Sequence, residues 1–453
     1  MEDRAGDRGA VSPDRLGRVG SSAFGRLAVV AAVIPVAWFV LAPAARTDSG
    51  PSADGTGAAN PGIVAVAVAG TDTSESYSAA FSASADRSPT PLQERRLVQS
   101  LIDLRRGQLN EALRSVSDLV EEQPDFKLAQ MIYGDLLLAQ TTGLTGFGQR
   151  LRPASVRGHR EEAKARLQRY LAAPPPATLP DSVLKLPSRA SSALIVDLET
   201  YRLYLLESRA GQVTRTRDFY VSIGKGGSDK RREGDEKTPV GVYVVSDFLP
   251  GEKLPDLYGV GAFPIDYPNG WDRMHGRTGS GIWIHGTESD RYSRPPLSSR
   301  GCVTMSNDDF RDLRRLVEVE HTPVVVADGL RWIDRREAER HRRDLEQALE
   351  GWRRDWESRD GDRYLSHYSR RFRTPSMSRA KFAAYKRQVN ASKKFIRVEL
   401  DDLGIFSYPG ERDLAVISFF QKYSSDNFKR STRKRQYWRR ENDRWRIVYE
   451  ESV

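Results

Sequence analysis

The sequence predicts a multidomain chain with a helical N-terminal segment, a mainly-β middle domain and an α+β C-terminal domain. Three observations carry this. The chain has 453 residues, room for about three domains at ~150 residues each. Apolar periodicity changes from a spacing of three to four to a spacing of two near residue 190, returns to helical from 331, and ends in strands. The charge divides at the same place: residues 1–330 hold 40 Lys+Arg against 41 Asp+Glu, and residues 331–453 hold 31 against 20. The net charge of +10 is thus a property of the C-terminal part. With 39% hydrophobic and 29% charged residues, a disordered, collagen-like or polytopic membrane chain is excluded.

Residues 1–26 form a basic leader with Arg4, Arg8, Arg15, Arg18 and Arg26. The 19 residues from Leu27 to Ala45 are uncharged and mainly apolar, at the short end of what spans a bilayer. They read as a transmembrane anchor, or as a signal segment cleaved near Ala42-Pro43-Ala44. The basic flank keeps the leader cytoplasmic and sends the rest of the chain across the membrane. Residues 46–90, rich in Ala, Ser, Gly and Thr, read as a flexible linker.

Residues 91–172 read as helical: Leu97, Leu101 and Leu104, then Leu109 and Leu113, then Val116, Leu119 and Val120 keep helical spacing. Pro124 interrupts, and Leu128, Ile132, Leu136 and Leu137 resume it. This resembles one tetratricopeptide unit, with a plain helical hairpin as the alternative. Strands are expected over 193–198 and 201–206, joined by the Glu199-Thr200 turn, and over 218–223, 240–246 and 322–327. A linker helix is expected over 331–344. A domain over 345–453 follows, with strands at 396–400, 414–423, 435–440 and 445–450.

Cys302 is the chain's one cysteine, so an intrachain disulfide and a four-cysteine zinc site are both excluded. A thiol becomes a useful nucleophile when a neighbour takes its proton. Histidine does this near neutral pH. His285 ends the apolar run Ile282-Trp283-Ile284, and Cys302 follows a Ser-Arg-Gly turn 17 residues later. Two rigid edges joined by a loop can bring the pair together, and backbone N–H groups around Cys302 can form an oxyanion hole. Gly301 allows close backbone approach beside the nucleophile.

The pair His285-Gly286 and Ser299-Arg300-Gly301-Cys302 resembles the signature of the L,D-transpeptidase catalytic domain, the YkuD family. Val221-Ser222-Ile223-Gly224, Gly234-Asp235 and Thr238-Pro239-Val240-Gly241 precede it in the expected order. The resemblance covers about residues 190–328. It implies a mainly-β YkuD domain in which Cys302 forms a thioester acyl-enzyme with a peptidoglycan stem peptide. His285 would be general base and acid, and the carbonyl of Gly286 would orient its ring. Ser299, Arg300, Gly301 and Thr304 are the expected substrate-binding positions. Many family members carry His where this chain has Arg300, and Arg or Asn where it has Thr304, so acceptor choice does not carry over. The implied reaction crosslinks stems or attaches proteins. A same-fold hydrolase using water and a non-catalytic wall-binding scaffold are the alternatives. No metal or organic cofactor is implied. His275 reads as a loop residue, and Gly224-Lys225-Gly226-Gly227 as a turn, since no Gly-Lys-Ser/Thr ending follows it.

In the C-terminal part, Trp352, Trp356, Tyr364, Leu365, Tyr368 and Phe372 at helical spacing precede the strands. This resembles the nuclear-transport-factor-2-like cone, which would serve as a binding or dimerisation module. Its basic charge fits anionic wall polymer, stem carboxylates or lipid headgroups better than nucleic acid, given a periplasmic site for the catalytic domain. The expected partners are therefore stem peptides, wall-attached proteins, the membrane through 27–45, and a second copy through the cone.

Overall fold

The computed structural model describes residues 91–142, 148, 153–209 and 211–453, all within the compact unit Ala59–Val453. The leader 1–26, the apolar run 27–45 and the linker 46–90 lie outside the described residues. No helix among the described residues is long and apolar enough to cross a membrane.

Among the described residues the N-terminal segment holds four helices rather than one hairpin: α1 (Leu92–Arg105), α2 (Leu109–Glu122), α3 (Lys127–Thr142) and α4 (Pro153–Leu171). Gly107, at φ 77°, ends α1 where the leucine pattern by itself runs on. Leu97, Ala112, Val116, Leu119, Ile132 and Leu136 form the core of this segment, and Tyr292 of the middle domain completes it. The helices thus bury their apolar face against the next domain, and no stack of repeats is needed to cover it.

The middle domain contains β1 (Ser192–Asp197), β2 (Arg202–Arg209), β3 (Gln212–Tyr220), β4 (Gly241–Val244), β5 (Gly261–Pro264), α5 (Gly270–Met274), β6 (Trp283–His285), β7 (Val303–Thr304), α6 (Asn307–Arg314) and β8 (Pro323–Ala327). One sheet has the order β3-β2-β1-β8-β4, and a second runs β7-β6-β5 and on to Leu249–Pro250. Their apolar faces meet in a core that includes Leu194, Val196, Leu205, Phe263, Ile284, Val303 and Phe310. The strand expected over 218–223 instead starts at Gln212 and ends at Tyr220. It is an edge strand whose first half, Gln-Val-Thr-Arg-Thr-Arg, lacks an apolar face.

The C-terminal domain has α7 (Arg335–Glu357), α8 (Gly361–Ser366), β9 (Tyr368–Arg373), α9 (Arg379–Ala391), β10 (Ile396–Ser407), β11 (Leu414–Ser425), β12 (Lys429–Glu441) and β13 (Arg444–Ser452). The expected boundary at 344/345 falls inside α7. This single helix starts at the Asp334 cap, whose carboxylate accepts from Glu337 N at 2.8 Å. Val183–Lys185 adds a sixth strand, giving the order β9-β13-β12-β11-β10-(183–185). One face of this sheet, with the three helices, encloses Trp352, Trp356, Tyr364, Phe372, Phe419 and Trp438. The other face packs on the middle domain: Phe406, Val416, Tyr437 and Tyr449 meet Ile195, Tyr204, Trp271 and Val325. Trp271 stacks on Tyr437 with ring centroids 4.5 Å apart.

Candidate active site

The β6–β7 pair positions the two reactive side chains. The strands are parallel, with Ile284 opposite Val303 and His285 opposite Thr304. Side chains alternate faces along an extended chain, so residue 302, two before Thr304, lies on the His285 side. His285 and Cys302 both line one cavity of about 290 Å3. The thiol hydrogen-bonds the carbonyl of Gly281 at 3.4 Å rather than the imidazole.

His285 is 2% exposed. Its Nδ1 lies 2.6 Å from the Gly286 carbonyl oxygen. A carbonyl only accepts, so Nδ1 carries the proton and Nε2 keeps its lone pair. Burial, then the charge of Arg294, lowers the imidazole pKa to about 4, against the pull of the Gly286 carbonyl. The Thr304 hydroxyl is 3.4 Å from Nε2, and the Tyr258 ring meets the imidazole at 71° with centroids 5.0 Å apart. Burial pushes the Cys302 thiol up, while the Trp283 backbone N–H, Arg294 and Arg300 oppose it. The resting pair near neutrality is therefore a thiol and a neutral imidazole.

The turn before Cys302 is braced from inside. The Ser299 hydroxyl donates to the Cys302 carbonyl at 2.6 Å and accepts from Gly301 N at 3.1 Å. Gly301 sits at φ 122°, and a Cβ there would lie 2.7 Å from the Lys237 carbonyl oxygen. Only glycine meets both conditions. Thr238, fully buried, accepts from Gly224 N and donates to the Gly301 carbonyl, both at 3.0 Å. The Gly224 and Thr238 segments singled out in the sequence thus hold the turn.

Of the expected substrate-binding residues, Ser299 and Arg300 line the cavity, and Gly301 and Thr304 do not. Ser299 spends its hydroxyl on the turn, and Thr304 spends its own on His285. Arg300 is exposed at the cavity, where Lys225, Arg291 and Arg294 add cations and Glu288 a carboxylate. His275 lies outside the cavity, with Nδ1 2.8 Å from the Trp271 carbonyl oxygen and its ring against Trp271.

Two residues that sequence reasoning missed support His285. Asn307 accepts from Val260 N and Thr287 N at 3.1 and 3.2 Å and donates to the Thr287 carbonyl at 2.9 Å. A Cβ on Gly286 would collide with it. Arg294, 7% exposed, gives Nε to Glu288 at 2.8 Å and Nη2 to the Leu257 carbonyl at 2.8 Å. Its own carbonyl accepts from Tyr220 and Ser222 at 3.0 and 2.9 Å. No local pattern marks Arg294, although Asn307 in the first turn after a Ser cap is a visible signal.

The helical segment holds this loop. Tyr292 N donates to the Asp125 carbonyl at 3.1 Å, and the Tyr292 ring lies 4.4 Å from that of Phe126. Ser293 donates to Glu162 at 2.6 Å. A Cβ on Gly158 would meet Pro295 Cγ at 2.8 Å, so α4 rests directly on the loop.

Comparison with known proteins agrees with this architecture. Residues 191–326 match the family model of the L,D-transpeptidase catalytic domain (YkuD), and residues 344–451 that of the Cds6 C-terminal NTF2-like domain. YafK of Escherichia coli (strain K12) is 30% identical over 118 residues, 23% of this chain and 43% of YafK. The chain thus spans less than half the length of that relative. Bd1075 of Bdellovibrio bacteriovorus is similar at 29% identity and a TM-score of 0.54, over 61% of this chain and 98% of that one. Pgp2 of Campylobacter jejuni, a helical cell shape determining protein, is similar at 25% identity and a TM-score of 0.52, over 60% of this chain and 95% of its own.

Proposed function

Taking residues 191–326 as an L,D-transpeptidase (YkuD) catalytic domain and residues 344–451 as an NTF2-like domain, we propose that the chain is a cell-envelope L,D-transpeptidase acting on peptidoglycan stem peptides through a Cys302 thioester. The observation that carries this is the Nδ1-protonated, buried His285 sharing one cavity with Cys302.

In this reading the thiol turns from Gly281 toward His285 Nε2 and gives up its proton as sulfur attacks a stem carbonyl at an L-centre–D-residue bond. Gly301 N is committed to Ser299, so the Cys302 N–H meets the developing oxyanion. The C–N bond then breaks, and the leaving amine takes the proton from His285. The acceptor amine, of a second stem or a wall-attached protein, attacks the thioester and loses its proton to His285, which returns it to sulfur. Arg300, Arg291 and Lys225 bind stem carboxylates. Residues 27–45 anchor the chain in the inner membrane, or are cleaved, with the catalytic domain in the periplasm. A dimer through the C-terminal domain would need a surface other than the sheet face that Trp271 covers.

The test is incubation with defined muropeptides and product analysis by mass spectrometry. Crosslinked products, lost in Cys302→Ala, support the reading. Trimmed stems alone would make water the acceptor, and no product with either protein would leave a wall-binding scaffold.

A further inference from the structure

We propose that a cavity in the C-terminal domain, remote in sequence from the catalytic residues, is a binding site for a phosphate-bearing ligand. The cavity holds about 660 Å3 and is lined by the end of α8, the start of β9, Arg379 at the head of α9, and the β12–β13 turn. Five of its lining residues are arginines, Arg370, Arg371, Arg379, Arg439 and Arg446, with Glu441 the one carboxylate and no lysine.

The internal pairing leaves most of this charge unanswered. Arg439 pairs with Glu411 at 2.8 Å, and Arg446 donates to the Ser366 carbonyl. Glu441 accepts from Ser369 at 2.8 Å instead of meeting a guanidinium. No carboxylate among the described residues pairs with Arg370, Arg371 or Arg379. The Arg379 Nε is shut off from solvent without a hydrogen-bond partner. A desolvated, unpartnered donor is costly, so no internal contact fixes this side chain, and a rotation that brings its guanidinium to a ligand oxygen relieves the cost.

The residue choice selects the ligand. A guanidinium is a planar fork that binds oxyanions by paired N–H groups, whereas an ammonium is a point charge. One carboxylate is satisfied by a single fork, but the several oxygens of a phosphate can take forks from different sides. A concave site with cations on several walls also concentrates the field, so a multiply charged anion gains most. Phosphodiester headgroups of a lipid surface and soluble or polymeric phosphates share this chemistry. The site involves none of the residues at Cys302, so its failure leaves the catalytic reading untouched.

The experiment uses the full chain, inorganic pyrophosphate by titration calorimetry, and sedimentation with vesicles of phosphatidylglycerol in phosphatidylcholine against phosphatidylcholine alone. The cavity variant is Arg370→Gln, Arg371→Gln and Arg379→Gln together. A control removes the same charge at exposed Arg336, Arg340 and Arg412. The cavity variant is expected to lose about tenfold or more in affinity and the control less than about twofold. Cavity-dependent binding of pyrophosphate alone assigns a soluble or polymeric phosphate, and of vesicles, a lipid headgroup. Binding of neither probe by the wild type, or equal losses in both variants, would overturn the proposal.

Discussion

His285 keeps a neutral ring by burial, and this has a measurable consequence for stability. The native imidazole titrates near 4, whereas that of the unfolded chain titrates near ~6.5. Between these values the unfolded state binds a proton that the native state does not. Stability therefore rises with pH across this window, and is lost on acidification from about 6.5 toward 4. Chemical denaturation at pH 7 and pH 4.5 is expected to show a shallower decline for His285→Gln than for the wild type. Equal declines would mean that the ring is not held neutral. Cys302 and His285 were legible in the sequence as a candidate pair, because a thiol nucleophile calls for a histidine and a glycine turn beside it, and the fold places both at one cavity. Arg294 was not, and the Thr238 and Asn307 segments were visible without their roles, because these residues act through main-chain contacts and clearances that only the folded chain assembles.

At the scale of elements, the parallel β6–β7 pair sets which face the reactive groups share, and the 287–297 loop supplies the charge beside them. That loop is fixed from the N-terminal helices. Tyr292, 5% exposed, fills their core while Arg294, two residues on, reaches Glu288 just after β6. Tyr292→Ala is expected to cost about 3–5 kcal/mol, as large-to-small core changes do, and to open the 287–297 loop to limited proteolysis. A smaller loss with an uncut loop would place the support elsewhere. A second tie is a buried ionic cluster: Glu94 binds Arg202 at 2.6 Å and Arg166 at 3.2 Å, and Asp218 binds Arg169 and Arg202. Burial pushes the Asp218 carboxyl up, yet Arg202 and Arg169 bring it down to about 2. Arg202→Met removes the one guanidinium that both buried carboxylates share, leaving Glu94 to Arg166 and Asp218 to Arg169, and is expected to destabilise by about 3–5 kcal/mol, read from denaturant midpoints. The strands from 193 to 206 were legible through alternating apolar residues, but this cluster was not. Glu94 and Arg202 are 108 residues apart, and nothing local distinguishes a buried arginine from a solvated one.

Over the whole molecule, the charge division in the sequence corresponds to a real domain boundary, yet the domains are packed rather than strung together. Trp271, Tyr437 and Tyr449 form one aromatic cluster across the boundary, and Arg435 reaches Asp266 at 2.8 Å. Calorimetry of the wild type is expected to show one transition, and Trp271→Ala two, because that side chain joins the cores. A single transition in the variant would mean that the remaining contacts suffice. The sequence revealed the order of the two matched domains and a candidate site that the fold gathers at one cavity. It did not reveal that Val183–Lys185 joins the distant C-terminal sheet, since a three-residue strand carries no periodic signal. The central claim is that Cys302 carries the acyl group. Rapid quenching of the full chain with a tetrapeptide muropeptide, followed by intact-protein mass spectrometry, tests it most directly. The account predicts an acyl adduct on the wild type, mapped to the peptide containing Cys302 and lost in Cys302→Ala. Turnover by Cys302→Ala, or an adduct on any other residue, would contradict it.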